Sequence, residues 1–192
     1  MTMAQDRTLK IPPLAAQHGV HHPGNALALI REEQSHHVLL CSVLEAIADG
    51  LPGDVDVNLA RYAVPLLTDS VQRHVSLQEN CLFPVLRASP GLSGENVEDV
   101  LEQLAHEHAE DQSLALEIAD TLTEYLEDRT ALNAETVGYL LRCFFEGYRR
   151  HAAWERLVLD RFAQRLTAED HAKLNALVCS LGPDAVLRGG TA

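Results

Sequence analysis

Eight residues of metal-binding or near metal-binding type interrupt four apolar stripes of this chain. Leu27, Ile30, Gln34, His37, Cys41, Leu44 and Ala48 form the first stripe at heptad spacing, with Gln34 and His37 at its middle. Ala63, Leu67, Ser70, His74, Gln78, Cys81 and Val85 form the second, which is broken by His74 and Gln78. The third runs through Val97, Leu101, Leu104, His108, Asp111, Ala115, Ile118 and Leu122. The fourth runs through Val137, Leu141, Phe144, Tyr148, His151, Glu155, Val158 and Phe162. Neutral imidazole and carboxylate together suit iron, zinc or manganese. His74, His108, His151 and Glu155 make a four-ligand set from three helices. A polar side chain on a core face costs several kcal/mol unless it is satisfied. Interruptions at matching depth in four stripes therefore point to one shared internal site. The plainer alternative is a core holding hydrogen-bonded histidines.

Helices must position these residues. The apolar spacing predicts helices over about 25–49, 57–88, 95–128 and 134–166. Asp49-Gly50-Leu51-Pro52-Gly53 and Ser89-Pro90-Gly91 break the pattern between them. Pro65 predicts either a bend or a separate short helix at the start of the second. Thr167-Ala168-Glu169-Asp170 resembles a capping box and opens a short fifth helix reaching about 180. Long helices with short connections predict an all-α, antiparallel up-down-up-down four-helix bundle over 24–181. An irregular segment, 1–23, precedes it, and a flexible tail, 182–192, follows. In such a bundle the helix midpoints meet, so the eight marked residues should converge.

Composition narrows the function classes. The formal net charge of −13 argues against nucleic acid and anionic membrane surfaces. No apolar run reaches the roughly 20 residues that span a bilayer. Residues 1–13 lack a secretory signal's apolar segment, which predicts a cytoplasmic protein. Cys41, Cys81, Cys143 and Cys179 are scattered and read as reduced, buried thiols. His106 falls off the third stripe and reads as surface. Glu79 points well away from His74 and reads as solvated or as an outer contact of the site. His36 lies off the first stripe. Tyr148 faces inward, either to bond a ligand or to fill core, and Trp154 is placed to keep Glu155 dry. His18, His21 and His22 resemble a loose metal-binding cluster.

Several of these residues fall into a known pattern. His74-Val-Ser-Leu-Gln78-Glu79-Asn80-Cys81-Leu82-Phe83-Pro84 resembles the His, three spacers, Glu and Leu-Phe-Pro of the hemerythrin-like HHE cation-binding domains. Glu107-His108 resembles that family's third-helix Glu-His. Arg150-His151-Ala-Ala-Trp-Glu155 resembles its fourth-helix His-x-x-x-Glu, and Ile30-Arg31-Glu32-Glu33-Gln34 resembles its first-helix motif. The resemblance covers roughly residues 25–178. It implies a non-haem iron site that binds or responds to dioxygen, nitric oxide or peroxide. Gln34 stands where the family has a ligand His, and Gln78 where it has a bridging Glu. An amide lacks the carboxylate's charge, so the expectation is a degenerate centre of one or two ions with a weakened second position. His37, one turn from Gln34, is either a replacement ligand or a core residue. Asp111 is either the missing carboxylate or a rim group. The alternative function is a metal-free bundle acting through partner proteins, and a minor one is a haem clasped between facing histidines. A monomer or homodimer is expected.

Overall fold

The computed structural model describes residues 25–130 and 132–181. His18, His21 and His22, with the irregular segment and the tail, lie outside the described residues. Among the described residues the chain forms five helices and no strand. These are α1 (Ala26–Asp49), α2 (57–88), α3 (Val97–Glu127), α4 (Ala134–Ala163) and α5 (Ala168–Ser180). This is the all-α bundle that the sequence predicts.

Side-chain caps set the helix starts, because the first backbone N–H groups of a helix have no partner within it. The Asn25 carboxamide accepts from Ala28 N at 3.0 Å. Asp56 accepts from Asn58 N at 2.8 Å, and Asn133 from Glu135 N at 2.9 Å. Thr167 and Asp170 form the reciprocal capping box expected from their spacing.

Bonds between helices fix an antiparallel register. Arg31 pairs with Asp160, and further along Glu45 pairs with Arg149 and Asp49 with Arg142, so α1 and α4 run opposite ways. Gln112 donates to Gln72, and Arg87 donates to Glu98, which does the same for α2 and α3. Glu95 meets Arg161 while Glu107 meets His151, so α3 and α4 are also antiparallel. The start of α1 is tied to α5 by Ala26 N donating to the Asn175 carboxamide at 2.8 Å.

α2 is continuous, so Pro65 does not split it. It lies within Val57–Pro65 and is followed at once by a π-helical turn, Leu66–Ser70. Val71–Leu77 returns to α-helix, a second π turn covers Gln78–Leu82, and Phe83–Ala88 closes the element. Val71 N bonds Leu66 O, and Phe83 N bonds Gln78 O, each five residues back. A π turn admits one extra residue and so rotates the C-terminal remainder of the element relative to a regular helix.

Two apolar clusters fill the bundle. One contains Leu44, Leu67, Leu122 and Phe144; the other contains Ile30, Leu82, Leu101 and Phe162. In α1, α3 and α4 the polar residues fall between the segments supplying these clusters; in α2 His74 does, and Gln78 follows one turn later among residues of the second cluster. The bundle thus holds a polar layer between two apolar ones. All four cysteines were expected inside. Cys41 and Cys81 are buried, but Cys143 and Cys179 are exposed, because they fall on the outer faces of α4 and α5.

Candidate metal centre

Glu155 sits at the middle of the polar layer and is fully buried. Its Oε2 lies 3.3 Å from His74 Nε2 and 3.3 Å from His151 Nε2. Its Oε1 accepts from the Gln34 amide at 2.7 Å and from the Gln78 amide. His37 stands beside His74 with ring centroids 4.1 Å apart, and His108 beside His151 at 5.2 Å. Two groups bring one ligand atom from each member within 4.8 Å of the others: His37, His74, Glu155 and His108, His151, Glu155. The four-ligand set from the sequence is therefore divided. His74 falls with His37, His108 falls with His151, and Glu155 belongs to both. The close ring contacts leave no slot for a porphyrin between these histidines.

Asp111 joins neither group. Its Oδ2 lies 3.9 Å from His151 Nδ1, the ring nitrogen turned away from Glu155. Gln34 and Gln78 do reach the centre, as amide donors to Glu155 rather than as charged groups. Glu79, assigned by its helix angle to solvent or to an outer contact, proves to be an outer contact: its Oε1 is 3.0 Å from His108 Nδ1. Glu107 reaches from α3 to within 2.6 Å of His151 Nδ1. His106 is exposed and pairs with Glu110.

A metal-ligating histidine characteristically holds its second ring nitrogen on a carboxylate, which fixes the tautomer and aims the free nitrogen inward. Glu79 and Glu107 do this for His108 and His151. Inside, nine buried side-chain polar atoms among the described residues have no hydrogen-bond partner. They include both ring nitrogens of His37, Nε2 of His108, Oε1 of Gln78 and the Tyr148 hydroxyl. Unsatisfied buried polar atoms are costly and rarely accumulate in one place. Imidazole nitrogens gathered on a carboxylate are a donor set suited to a divalent transition ion. The residues present fit a metal.

In the metal-free protein the electrostatics favour the ligating form at His37, His108 and Glu155, whereas at His151 they favour the protonated form, which a bound ion would have to displace. Burial, reinforced by His74, holds His37 well below the usual imidazole range, and burial holds His108 down to about 3. Both are neutral near pH 7. Burial also opposes charge on His151, but hydrogen bonds to Glu155 and Glu107 outweigh it and raise it to about 9. For Glu155, burial acts upward, yet His74 and the bond to His151 keep it ionised, well below the ordinary value. Burial pushes Asp111 up to about 6.

Two further residues were not singled out by their place in the sequence. Glu33 and Arg73 form a buried ion pair at 3.1 Å between α1 and α2, and Arg73 also donates to Ser70 at 3.3 Å. Each lies immediately before a centre residue, Gln34 and His74. Their signal was charge directly next to a polar stripe position.

Residues 25–163, more than half of the chain, match the family model described as the hemerythrin HHE cation binding domain. No curated protein and no solved structure matches the chain.

Proposed function

Because the chain belongs to the hemerythrin HHE cation-binding domain family, we propose that it is a non-haem iron protein that binds or responds to dioxygen, nitric oxide or peroxide. The observation that supports this most is Glu155, shared between two histidine pairs, with Glu79 and Glu107 on the outer nitrogens of His108 and His151. His37, His74 and Glu155 would hold one ion, and His108, His151 and Glu155 another. Iron held there supplies a redox-active centre of a size suited to small diatomic and peroxide ligands.

The chain's own residues do the rest. Glu79 and Glu107 orient His108 and His151. The Gln34 and Gln78 amides hold Glu155 in place from the other side. The apolar clusters above and below keep water away. Glu155 offers one negative charge to two positions, so a second divalent cation meets net repulsion in a low-dielectric interior. We expect one ion to be held tightly and a second weakly.

Metal titration of the metal-free protein tests this. Glu155→Ala, which removes the residue common to both groups, should abolish stoichiometric binding, while His171→Ala, on α5, should leave it unchanged. Equal binding in both would sink the site. Gln78→Glu should raise the capacity towards two ions per chain. A metal-free helical module is the second reading, and one observation favours it: Glu155 Oε1 already accepts from two amides. That reading requires a folded protein with no stoichiometric metal.

A further inference from the structure

The two ion positions that share Glu155 are unlike. At one, the outer ring nitrogens of His108 and His151 rest on Glu79 at 3.0 Å and on Glu107 at 2.6 Å. Such a carboxylate raises the basicity of the inner nitrogen, and each is worth roughly 10–100-fold in metal affinity. At the other position, no carboxylate holds an outer nitrogen. His74 Nδ1 and both ring nitrogens of His37 are buried without a partner. The inner nitrogen of His74 is already covered, since the Gln78 amide nitrogen lies 3.0 Å from Nε2. The Gln34 and Gln78 amides also both donate to Glu155 Oε1. An N–H donor repels a cation. The tightly held ion therefore belongs with His108, His151 and Glu155.

His37 is then left with another task. A neutral imidazole carries one N–H donor and one acceptor, and His37 uses neither. Its ring is held between His74, at 4.1 Å between centroids, and Tyr148, at 4.8 Å. The surface opens into a cleft between α1 and α4, and Gln34 and His37 are the residues of the centre that line it. A small molecule entering by that cleft meets His37 before the ion.

We propose that His37 is not a metal ligand but the hydrogen-bond donor to the small diatomic or peroxide molecule bound at the ion of His108, His151 and Glu155. The assignment rests on the proposed iron function and names the residue that recognises its ligand. A buried donor without a partner costs free energy, and the arriving ligand supplies the partner.

Zinc titration and nitric oxide binding to the anaerobic ferrous protein test it, on the full chain. His37→Leu should leave zinc affinity nearly unchanged, while His108→Leu should weaken it about tenfold or more. In ferrous His37→Leu, nitric oxide should dissociate about three- to tenfold faster, the cost of one hydrogen bond, and its N–O stretching band should shift. His37→Gln, which keeps an N–H donor, should recover part of both effects. Zinc affinity that falls in His37→Leu as far as in His108→Leu would overturn the proposal. So would nitric oxide dissociation and an N–O band that neither His37 variant changes. A wild type that takes up no metal, or whose ferrous form takes up no nitric oxide, would overturn the iron function itself and this assignment with it.

Discussion

At the residue scale, Glu155 decides what the polar layer can do. It is the one carboxylate placed among four imidazoles, and its ionised form is what makes their proximity tolerable. Two predictions belong here. Glu107→Gln keeps the shape of the side chain but weakens the hold on His151 Nδ1. It should lower metal affinity roughly 10–100-fold in a chelator competition, with little change in helix content. The second concerns pH in the metal-free protein. The folded value of His151 is raised, from 6.5 unfolded to about 9. Its stabilisation is therefore fully present below about 6.5 and is lost as pH rises through about 9. At its largest it is on the order of 3 kcal/mol. His151→Gln should cost most in urea denaturation at pH 6 and almost nothing at pH 9.5. A cost independent of pH would contradict this. Heptad spacing made Gln34, His37, His74, Gln78, His108, His151 and Glu155 legible in the sequence, because each lies on a core-facing stripe. Glu107 and Arg73 were not assigned their partners. They sit off the stripe and reach sideways between helices, which spacing within one helix does not encode.

At the element scale, the Thr167 capping box and the breakers were read from the sequence because their causes are local, whereas the caps at Asn25, Asp56 and Asn133 were not assigned there. Asn25, Asp56, Asn133 and Thr167 each satisfy N–H groups within three residues. The two π turns of α2 were not readable, since no local code separates a five-residue turn from a regular one. Pro65 marked a disturbance without specifying its form. The α5 cap also does more than its motif suggests. Asp170 is buried and accepts from Ser89 Oγ at 2.8 Å and from Thr167 N at 2.9 Å, tying α5 to the α2–α3 connection. Asp170→Ala should lower stability by about 1–3 kcal/mol through the unpaired groups it leaves. Glu169→Ala, which removes only an exposed pair with Lys173, should be close to neutral. Urea midpoints of the two variants check the contrast. Gly91 is fixed by packing: a Cβ there would collide with the Arg165 carbonyl, which brings the α4–α5 connection against it.

At the scale of the whole molecule, two apolar clusters carry the stability and the layer between them carries the chemistry. Leu101 is fully buried in one cluster, and Leu101→Ala should cost about 2–5 kcal/mol in chemical denaturation without changing metal stoichiometry. Metal that binds only the folded state should raise the melting temperature, and a chelator should reverse the rise. The bundle and the depth of its polar layer followed from four stripes interrupted at one level. The division into two triads sharing Glu155 did not, because it depends on which helices are neighbours at that level. None of the described helices is long and apolar enough to cross a membrane. The most direct test is metal content per chain by elemental analysis, on untagged protein from iron-supplemented cells, for the wild type beside Glu155→Gln. The account predicts about one tightly held iron or more per wild-type chain and almost none in the variant, with both proteins helical. A folded wild type without stoichiometric metal, or a variant that keeps its iron, would contradict it.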